Sequence, residues 1–135
     1  MEQSKETEIV VLYCGRAVQP EARLSELSRR SGGHRVRHVM LACGNKVETR
    51  DLLKLVQGGA AGVLVVCCPF TECQFTTGSR HAAGRVQHAR QLLAEIGLAA
   101  DRIKFTVGFK LTEGDVAELV KSHLATVNDL NGAAV

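Results

Sequence analysis

The run from Gly62 to Val66 constrains the fold of this chain more than any other stretch. Its residues, Gly-Val-Leu-Val-Val, are apolar and lead directly into Cys67, Cys68 and Pro69. A short continuous apolar run followed by turn residues is typical of a strand buried on both faces, as in a parallel sheet. Because proline has no N–H and a fixed φ, we expect this strand to end near Cys68.

Strand and helix patterns alternate along the rest of the chain. We predict strands at 9–13, 36–42, 62–68 and 103–107, and helices at 20–30, 48–57, 78–96 and from a capping box at Thr112–Asp115 to about 124. Strands that alternate with helices imply right-handed crossovers and a parallel sheet covered on both faces. The predicted fold is therefore α/β: a single three-layer α/β/α domain over residues 1–135 with a mostly parallel sheet of about four strands.

Composition excludes several classes of protein. The 135 residues, 45% hydrophobic and 23% charged, suit one globular domain. A net charge of +3, no Trp and one Tyr argue against a nucleic-acid partner, which needs basic and aromatic surfaces. The polar N-terminus predicts no signal peptide, and no apolar run reaches the roughly 18 residues of a membrane span. We therefore expect a cytoplasmic protein.

The five cysteines are the candidate site residues. In a reducing compartment they are ligands or reactive thiols more often than disulfides. Cys14, Cys43 and Cys68 end the first three predicted strands, and Cys73 lies on the loop after Cys68. Parallel strands end at one edge, about 4.8 Å apart, where open α/β sheets bind ligands. We predict that these four thiols hold an iron–sulfur cluster or a structural zinc. For any single cysteine, and for Cys67 in particular, a buried small hydrophobe is the competing interpretation.

The sequence resembles the delta subunit family of methyl-viologen-reducing hydrogenase over about residues 8–130, the expected domain core. The residues that carry this resemblance are Cys14, the segment 39–47 around Cys43, the segment 58–68, the Cys-x4-Cys loop from Cys68 to Cys73, Arg85, the helix end at 92–97 and Glu113-Gly114. The resemblance implies a non-catalytic electron-transfer subunit with one [2Fe–2S] cluster held by cysteines.

The resemblance also implies two partners. One is an oxidoreductase module of the hydrogenase, formate dehydrogenase or acyl-CoA reductase type. The other is a heterodisulfide-reductase A-like flavoprotein with FAD and iron–sulfur centres, and such assemblies often perform electron bifurcation. Backbone N–H groups after Cys14 and Cys43 are the expected hydrogen-bond donors to a bound cluster.

The chain departs from the family pattern at the end of its first strand. The family usually has Cys-x-x-Cys there, whereas this chain has Cys14 followed by Ala17. The histidines that often follow the two loop cysteines are replaced by Pro69 and Gln74. Three interpretations stay open: the four remaining cysteines suffice, Cys67 serves as an alternate ligand, or the cluster has been lost.

Two further classes of function compete with an electron relay. A thiol or sulfur-transfer protein would use Cys67, Cys68 or Cys73 as a low-pKa nucleophile. A flavodoxin-like flavin or nucleotide binder is the weaker alternative, because no G-x-G-x-x-G motif or P-loop follows a strand.

The remaining ionisable residues suggest surface roles. The basic residues of the third predicted helix either dock an acidic partner or form a solvated face; they are Arg80, His81, Arg85, His88 and Arg90. We predict that His34, His38 and His123 lie at the surface or at an edge of the sheet.

Overall fold

A computed structural model describes residues 7–15, 17–19, 29–31, 34–41, 46–69 and 78–133 of the chain. The elements in these ranges are β1 (Thr7–Cys14), β2 (Arg29–Ser31), β3 (His34–Leu41), α1 (Thr49–Gln57), β4 (Ala60–Cys67), α2 (Gly78–Glu95), β5 (Ile103–Val107) and α3 (Glu113–Ala133), with a 3-10 turn at Ala100–Arg102. No helix in these ranges is long and apolar enough to cross a bilayer.

The strands form one sheet in the order β2-β3-β1-β4-β5. Strands β3, β1, β4 and β5 are parallel, and only β2 runs antiparallel to its neighbour. The predicted single α/β domain with a mostly parallel sheet is confirmed. The order of the strands reverses at β1, which pairs with β3 on one side and with β4 on the other. In doubly wound sheets the crevice at such a switch point is where ligands bind.

Helices cover the sheet on both faces, as a three-layer fold requires. Residues of α1 and α2 pack with one set of strand residues, which includes Val10, Val63 and Val65. Residues of α3 pack with the alternate set, which includes Val11 and Leu64. All eight residues of β4 are buried. Because successive strand side chains point to opposite faces, β4 contributes to both core layers.

The structure corrects the end of the helix predicted at 20–30. Its last two residues belong to β2, which pairs with β3 through Arg29 and Val36, while residues 20–28 lie outside the described part of the chain. Strand β2 has no apolar alternation, since its sequence is Arg-Arg-Ser. Gly32-Gly33 between β2 and β3 is a hairpin signature, so the signal was a turn motif rather than a strand pattern.

Helix α3 begins at the predicted capping box. The Thr112 backbone N–H donates to Asp115 Oδ2 at 3.0 Å, and the Asp115 N–H donates to Thr112 Oγ1 at 3.1 Å. These reciprocal bonds satisfy donors that the first turn leaves unpaired. The helix continues to Ala133, beyond the predicted end near 124, and its residue Val127 is fully buried.

Candidate metal centre

Two cysteines meet where the sheet reverses its strand order. Cys14 is the last residue of β1 and Cys68 directly follows β4. Their sulfur atoms are 4.0 Å apart, and the two residues are 4% and 0% exposed. The other two predicted ligands, Cys43 and Cys73, lie outside the described residues. The structure thus brings together the thiols of the two strands that flank the switch point.

The separation of the two sulfurs fits a shared metal ion. A disulfide needs about 2.05 Å between sulfurs, so these residues are separate thiols. Two thiolates bound tetrahedrally at about 2.3 Å from one metal lie about 3.8 Å apart. Among the described residues no group of three or more Cys, His, Asp and Glu side chains is close enough to hold a metal ion. The pair is half of the four-thiolate set that the sequence predicts.

Cys67 belongs to the other face of the sheet. It is 1% exposed and packs in the core layer of α1 and α2, with Val65 and Val86. Cys68 lies in the opposite layer, with Cys14 and Val66. Consecutive residues at the end of an extended strand point to opposite faces, which separates these two thiols. The thiol of Cys67 is therefore buried in the layer opposite to that of Cys14.

The loops after β1 and β5 pair with each other beside the end of β4. The Leu111 N–H donates to the Ala17 carbonyl at 2.9 Å, and the Gln19 N–H donates to the Leu111 carbonyl at 2.8 Å. Ala17, which stands where the family pattern has a second cysteine, is fully buried in the layer that contains Cys14 and Cys68. We call Ala17–Gln19 and Leu111 the strap. It adds apolar, internally hydrogen-bonded cover to this end of the sheet.

The turn before the strap depends on two backbone features. A Cβ at Gly108 would collide with the Leu111 side chain, so the glycine leaves room for Leu111 to fold back. Lys110 has a φ of +55°, in the left-handed region that non-glycine residues seldom adopt. The Gly108 N–H donates to the Cys67 carbonyl at 2.9 Å and continues the β4–β5 ladder. The strap is thereby joined to the end of β4.

One expected donor to a bound cluster is already engaged. The N–H of Gly15, directly after Cys14, donates to the Leu41 carbonyl at 3.1 Å. The Ala17 N–H donates to the Cys14 carbonyl at 2.9 Å, which closes a turn. Of the candidate donors after Cys14, the N–H groups of Gly15 and Ala17 are thus already used within the backbone. These bonds instead fix the backbone around Cys14.

Two of the predicted docking arginines have structural roles. Arg85 Nη1 donates to the Val47 carbonyl at 2.8 Å, and Thr49 Oγ1 donates to the Arg85 carbonyl at 3.2 Å, so α2 is tied to the start of α1. Arg90 Nη1 donates to the Ile103 carbonyl at 2.6 Å, and Arg90 Nη2 donates to Asp101 Oδ1 at 3.0 Å. The exposed members of the basic set are Arg80, His81 and His88.

His123 contradicts the prediction of a surface histidine. It is fully buried in α3, and its Nε2 lies 3.1 Å from the Arg102 carbonyl oxygen. Since a carbonyl only accepts, Nε2 carries the proton and donates. Its Nδ1 is buried without a hydrogen-bond partner among the described residues. The signal in the sequence was its place on the apolar stripe of α3, beside Val120, Leu124 and Val127.

The fold and the paired thiols define a small α/β protein with a thiolate site at the switch point of its sheet. A sequence profile of the family described as methyl-viologen-reducing hydrogenase, delta subunit, matches residues 9–131. The chain belongs to this family, and the resemblance inferred from its motifs is confirmed.

Individual relatives point in the same direction. The chain is 37% identical over 95 residues to the vhu iron-sulfur subunit of the F420-non-reducing hydrogenase of Methanocaldococcus jannaschii, covering 70% of this chain and 71% of that protein. It is 29% identical over 122 residues to the iron-sulfur protein of the same name from Methanococcus maripaludis, covering 90% and 91%. It is also 28% identical over 118 residues to the A component of the ferredoxin:CoB-CoM heterodisulfide reductase of Methanosarcina mazei, covering 84% of this chain but only 15% of that protein.

Proposed function

We propose that this chain is an electron-transfer subunit of a hydrogenase or heterodisulfide-reductase complex and that it holds one [2Fe–2S] cluster. The observation that carries the proposal is the 4.0 Å separation of the Cys14 and Cys68 sulfurs at the switch point of the sheet. The names of the hydrogenase relatives support it, because both describe an iron-sulfur subunit.

Four cysteines are the proposed ligands. Cys14 and Cys68 supply two thiolates from neighbouring strand ends, and Cys43 and Cys73 complete the set of four that a [2Fe–2S] cluster takes. Cys67 is the alternate ligand, although its burial on the other face of the sheet favours Cys68. When bound, such a cluster supplies a one-electron redox couple.

The protein itself makes and breaks no bonds of a substrate in this proposal. Hydrogen bonds of the Gly15 and Ala17 N–H groups fix the backbone around Cys14, so this residue is held in place before any metal binds. The strap adds apolar cover beside Cys68, which is fully buried. Burial and restricted access of water are among the features that set cluster potentials.

The heterodisulfide reductase relative supports one partner. In the Methanosarcina mazei protein, a stretch similar to 84% of this chain forms 15% of a longer polypeptide. A domain that is a segment of a larger protein in one organism and a separate chain in another is well placed to bind the separate counterpart of that protein. We therefore propose a heterodisulfide-reductase A-like flavoprotein as the electron acceptor or donor.

The second proposed partner is an oxidoreductase module. The two hydrogenase relatives favour a hydrogenase, and modules of the formate dehydrogenase or acyl-CoA reductase type are the alternatives. In such a complex one electron at a time would pass through this protein, in a flavin-based bifurcating reaction where the flavoprotein performs one. We propose a cytoplasmic location for this complex.

Anaerobic purification of the full chain tests the proposal. We expect about two irons and two acid-labile sulfides per chain, a broad visible absorption band and an electron paramagnetic resonance signal after one-electron reduction. Cys14→Ala and Cys68→Ala should lose the iron. Cys67→Ala is the matched control, since it removes an adjacent thiol from the opposite face, and it should keep the iron. A wild-type protein without iron would overturn the proposal.

A structural zinc is the second candidate, because the same sulfur separation fits two thiolates on one zinc ion. The elemental analysis separates the two: zinc would appear as about one ion per chain, without sulfide, colour or a redox couple. A yellow protein with neither metal would indicate a flavin instead.

A further inference from the structure

We propose that Cys14 and Cys68 form an intramolecular disulfide when no metal holds them, which gives this site a second, two-electron redox chemistry. Both residues are thiols in the structure, and their sulfurs are 4.0 Å apart. The disulfide itself needs only this pair and therefore does not depend on the proposed cluster.

The two thiols are already close enough for a short movement to join them. Cys14 ends β1 and Cys68 directly follows β4, and these strands pair in parallel up to Tyr13 and Val66. Both side chains lie in the core layer that contains residues of α3. Side-chain rotation alone can close the remaining sulfur gap of about 2 Å.

The pairing is specific for Cys68. Cys67 is adjacent to Cys68 in the sequence, but its side chain packs in the core layer on the opposite face of the sheet. A bond from Cys14 to Cys67 would therefore have to cross from one face of the sheet to the other. Substituting Cys67 or Cys68 separately therefore tests which of the two thiols pairs with Cys14.

The different exposure of Cys14 and Cys68 indicates which thiol reacts first in the two steps of disulfide formation. Cys14 is 4% exposed and Cys68 is 0% exposed, so Cys14 meets a small oxidant such as hydrogen peroxide first. The Cys14 sulfur attacks a peroxide oxygen and the O–O bond breaks, and the thiol proton leaves with the released hydroxide as one water, so that a sulfenic acid is formed. The Cys68 sulfur then attacks the Cys14 sulfur, the S–O bond breaks, and a second water leaves. Two thiols and one peroxide thus give one disulfide and two waters.

One consequence rests on the proposed function. The disulfide uses two of the four proposed cluster ligands, so the oxidised protein should fail to take up iron and sulfide until a reductant cleaves the bond. A buried disulfide would in this way protect the empty ligand pair from oxidation to sulfinic acid.

Peptide mapping of the metal-free full chain tests the proposal. After treatment with hydrogen peroxide, the remaining thiols are alkylated in denaturant and the protein is digested with trypsin. Cys14 lies on the fragment 6–16, Cys43 on 38–46, and Cys67, Cys68 and Cys73 together on 55–80. We expect 6–16 to be linked to 55–80 in a species that is two hydrogens lighter than the separate reduced fragments and that dithiothreitol splits.

Single substitutions identify the partner on fragment 55–80. Cys67→Ala and Cys73→Ala should keep the link. Cys68→Ala should lose it and leave a Cys14 sulfenic acid that dimedone traps. A link that persists in Cys68→Ala, a link from 6–16 to 38–46, or no link in the wild type would overturn the proposal. Because the wild-type map does not depend on any variant folding, the absence of a link there would overturn the proposal on its own.

The outcomes also separate this inference from the proposed function. If the purified protein contains iron but forms no link after the metal is removed, the electron-transfer proposal stands and the disulfide proposal fails. If the link forms but the anaerobic protein contains no iron, the disulfide proposal stands and the electron-transfer proposal fails.

Discussion

Gly62 is the residue on which the packing of α3 against β4 depends most directly. A Cβ added there would lie 2.8 Å from Val127 Cγ2 and 2.9 Å from His123 Nε2, closer than real contacts allow. We expect Gly62→Ala to lower the free energy of unfolding by about 1–3 kcal/mol, because α3 must shift away from the sheet. Urea-induced unfolding measures this change.

A second glycine supplies the matched control. A Cβ at Gly84, exposed in the interior of α2, would meet nothing within 4 Å. Gly84→Ala should therefore raise the unfolding free energy by about 0.5–1 kcal/mol through its helix propensity. If the two substitutions changed the unfolding free energy equally, the packing of α3 against β4 would not depend on a glycine at position 62.

His123 should make the stability of the protein depend on pH. Burial, the largest influence, lowers the pKa of His123 below its usual value, and the hydrogen bond to Arg102 opposes this only in part. Lys104 and Arg90 lower the pKa further, while Asp101 raises it. The unfolded chain, with a His pKa near 6.5, then binds a proton that the folded chain resists.

The sign of the effect follows from that proton. We expect the unfolding free energy to be level above about pH 6.5 and to fall below it, by at most about 1.4 kcal/mol per pH unit. His123→Gln should remove this slope while it keeps a donor for the Arg102 carbonyl. Chemical denaturation between pH 7.5 and 5 tests it, and an unchanged slope in the variant would exclude His123 as its source.

Glu8 begins to affect the stability at a lower pH than His123 does. Burial raises its pKa, but hydrogen bonds from Arg35 at 2.9 Å and Arg37 at 3.1 Å outweigh this, so the pKa is lowered overall from 4.5. The stability from this cross-strand group is present above about pH 4.5 and is lost below it. The loss of stability from Glu8 therefore begins about two pH units below that from His123.

At the residue level, the sequence predicted that Cys14 and Cys68 lie at strand ends, but not on which face of the sheet each side chain lies. Cys67 and Cys68 are adjacent, and the structure places Cys68, not Cys67, in the core layer of Cys14. The burial of His123 was missed because the prediction relied on the polarity of histidine rather than on its position in the apolar stripe of α3. A polar residue on an apolar helical stripe is buried when a hydrogen-bond partner, here the Arg102 carbonyl, is available.

At the level of the elements, helix α3 begins at a capping box, and its stability should depend on that box. Thr112→Ala removes the side-chain acceptor of the Asp115 N–H. We expect a loss of about 1 kcal/mol in the unfolding free energy. Ser122→Ala, an exposed substitution inside the same helix, is the control and should be neutral or slightly stabilising. A similar loss in both variants would contradict the capping role.

The elements that were predicted best from the sequence are those whose apolar residues recur with the period of a strand or a helix. Strand β5 was predicted with its observed bounds, and α2 to within one residue. Strand β2 was missed because three polar residues have no period, and their conformation is set by pairing with the edge of β3. Such tertiary pairing overrides local propensity and is invisible in a short polar segment.

For the whole molecule, the alternation of elements predicted the parallel sheet, but it could not give the order of its strands. That order is what makes β1 and β4 neighbours across the switch point and so brings Cys14 and Cys68 together. A different order, with β3 between them, would have kept these thiols about 10 Å apart. The site is therefore a property of topology as much as of the cysteine positions.

A metal bound between β1 and β4 should stabilise the whole domain. It would join two central strands and bind the folded chain alone, so its binding free energy adds to folding. We expect anaerobic removal of the bound metal by a chelator to lower the melting temperature of the wild type by about 5–15 °C. Cys67→Ala should show the same difference, because its thiol lies in the other core layer.

The ligand variants give the decisive comparison. Cys14→Ala and Cys68→Ala should melt at the same temperature with and without chelator, since each lacks a thiol of the pair. Calorimetry of all four proteins at equal concentration measures the shifts. If Cys67→Ala lost the shift and Cys68→Ala kept it, the metal would lie on the α1–α2 face of the sheet. The pairing of Cys14 with Cys68 across the switch point would then not be the metal site.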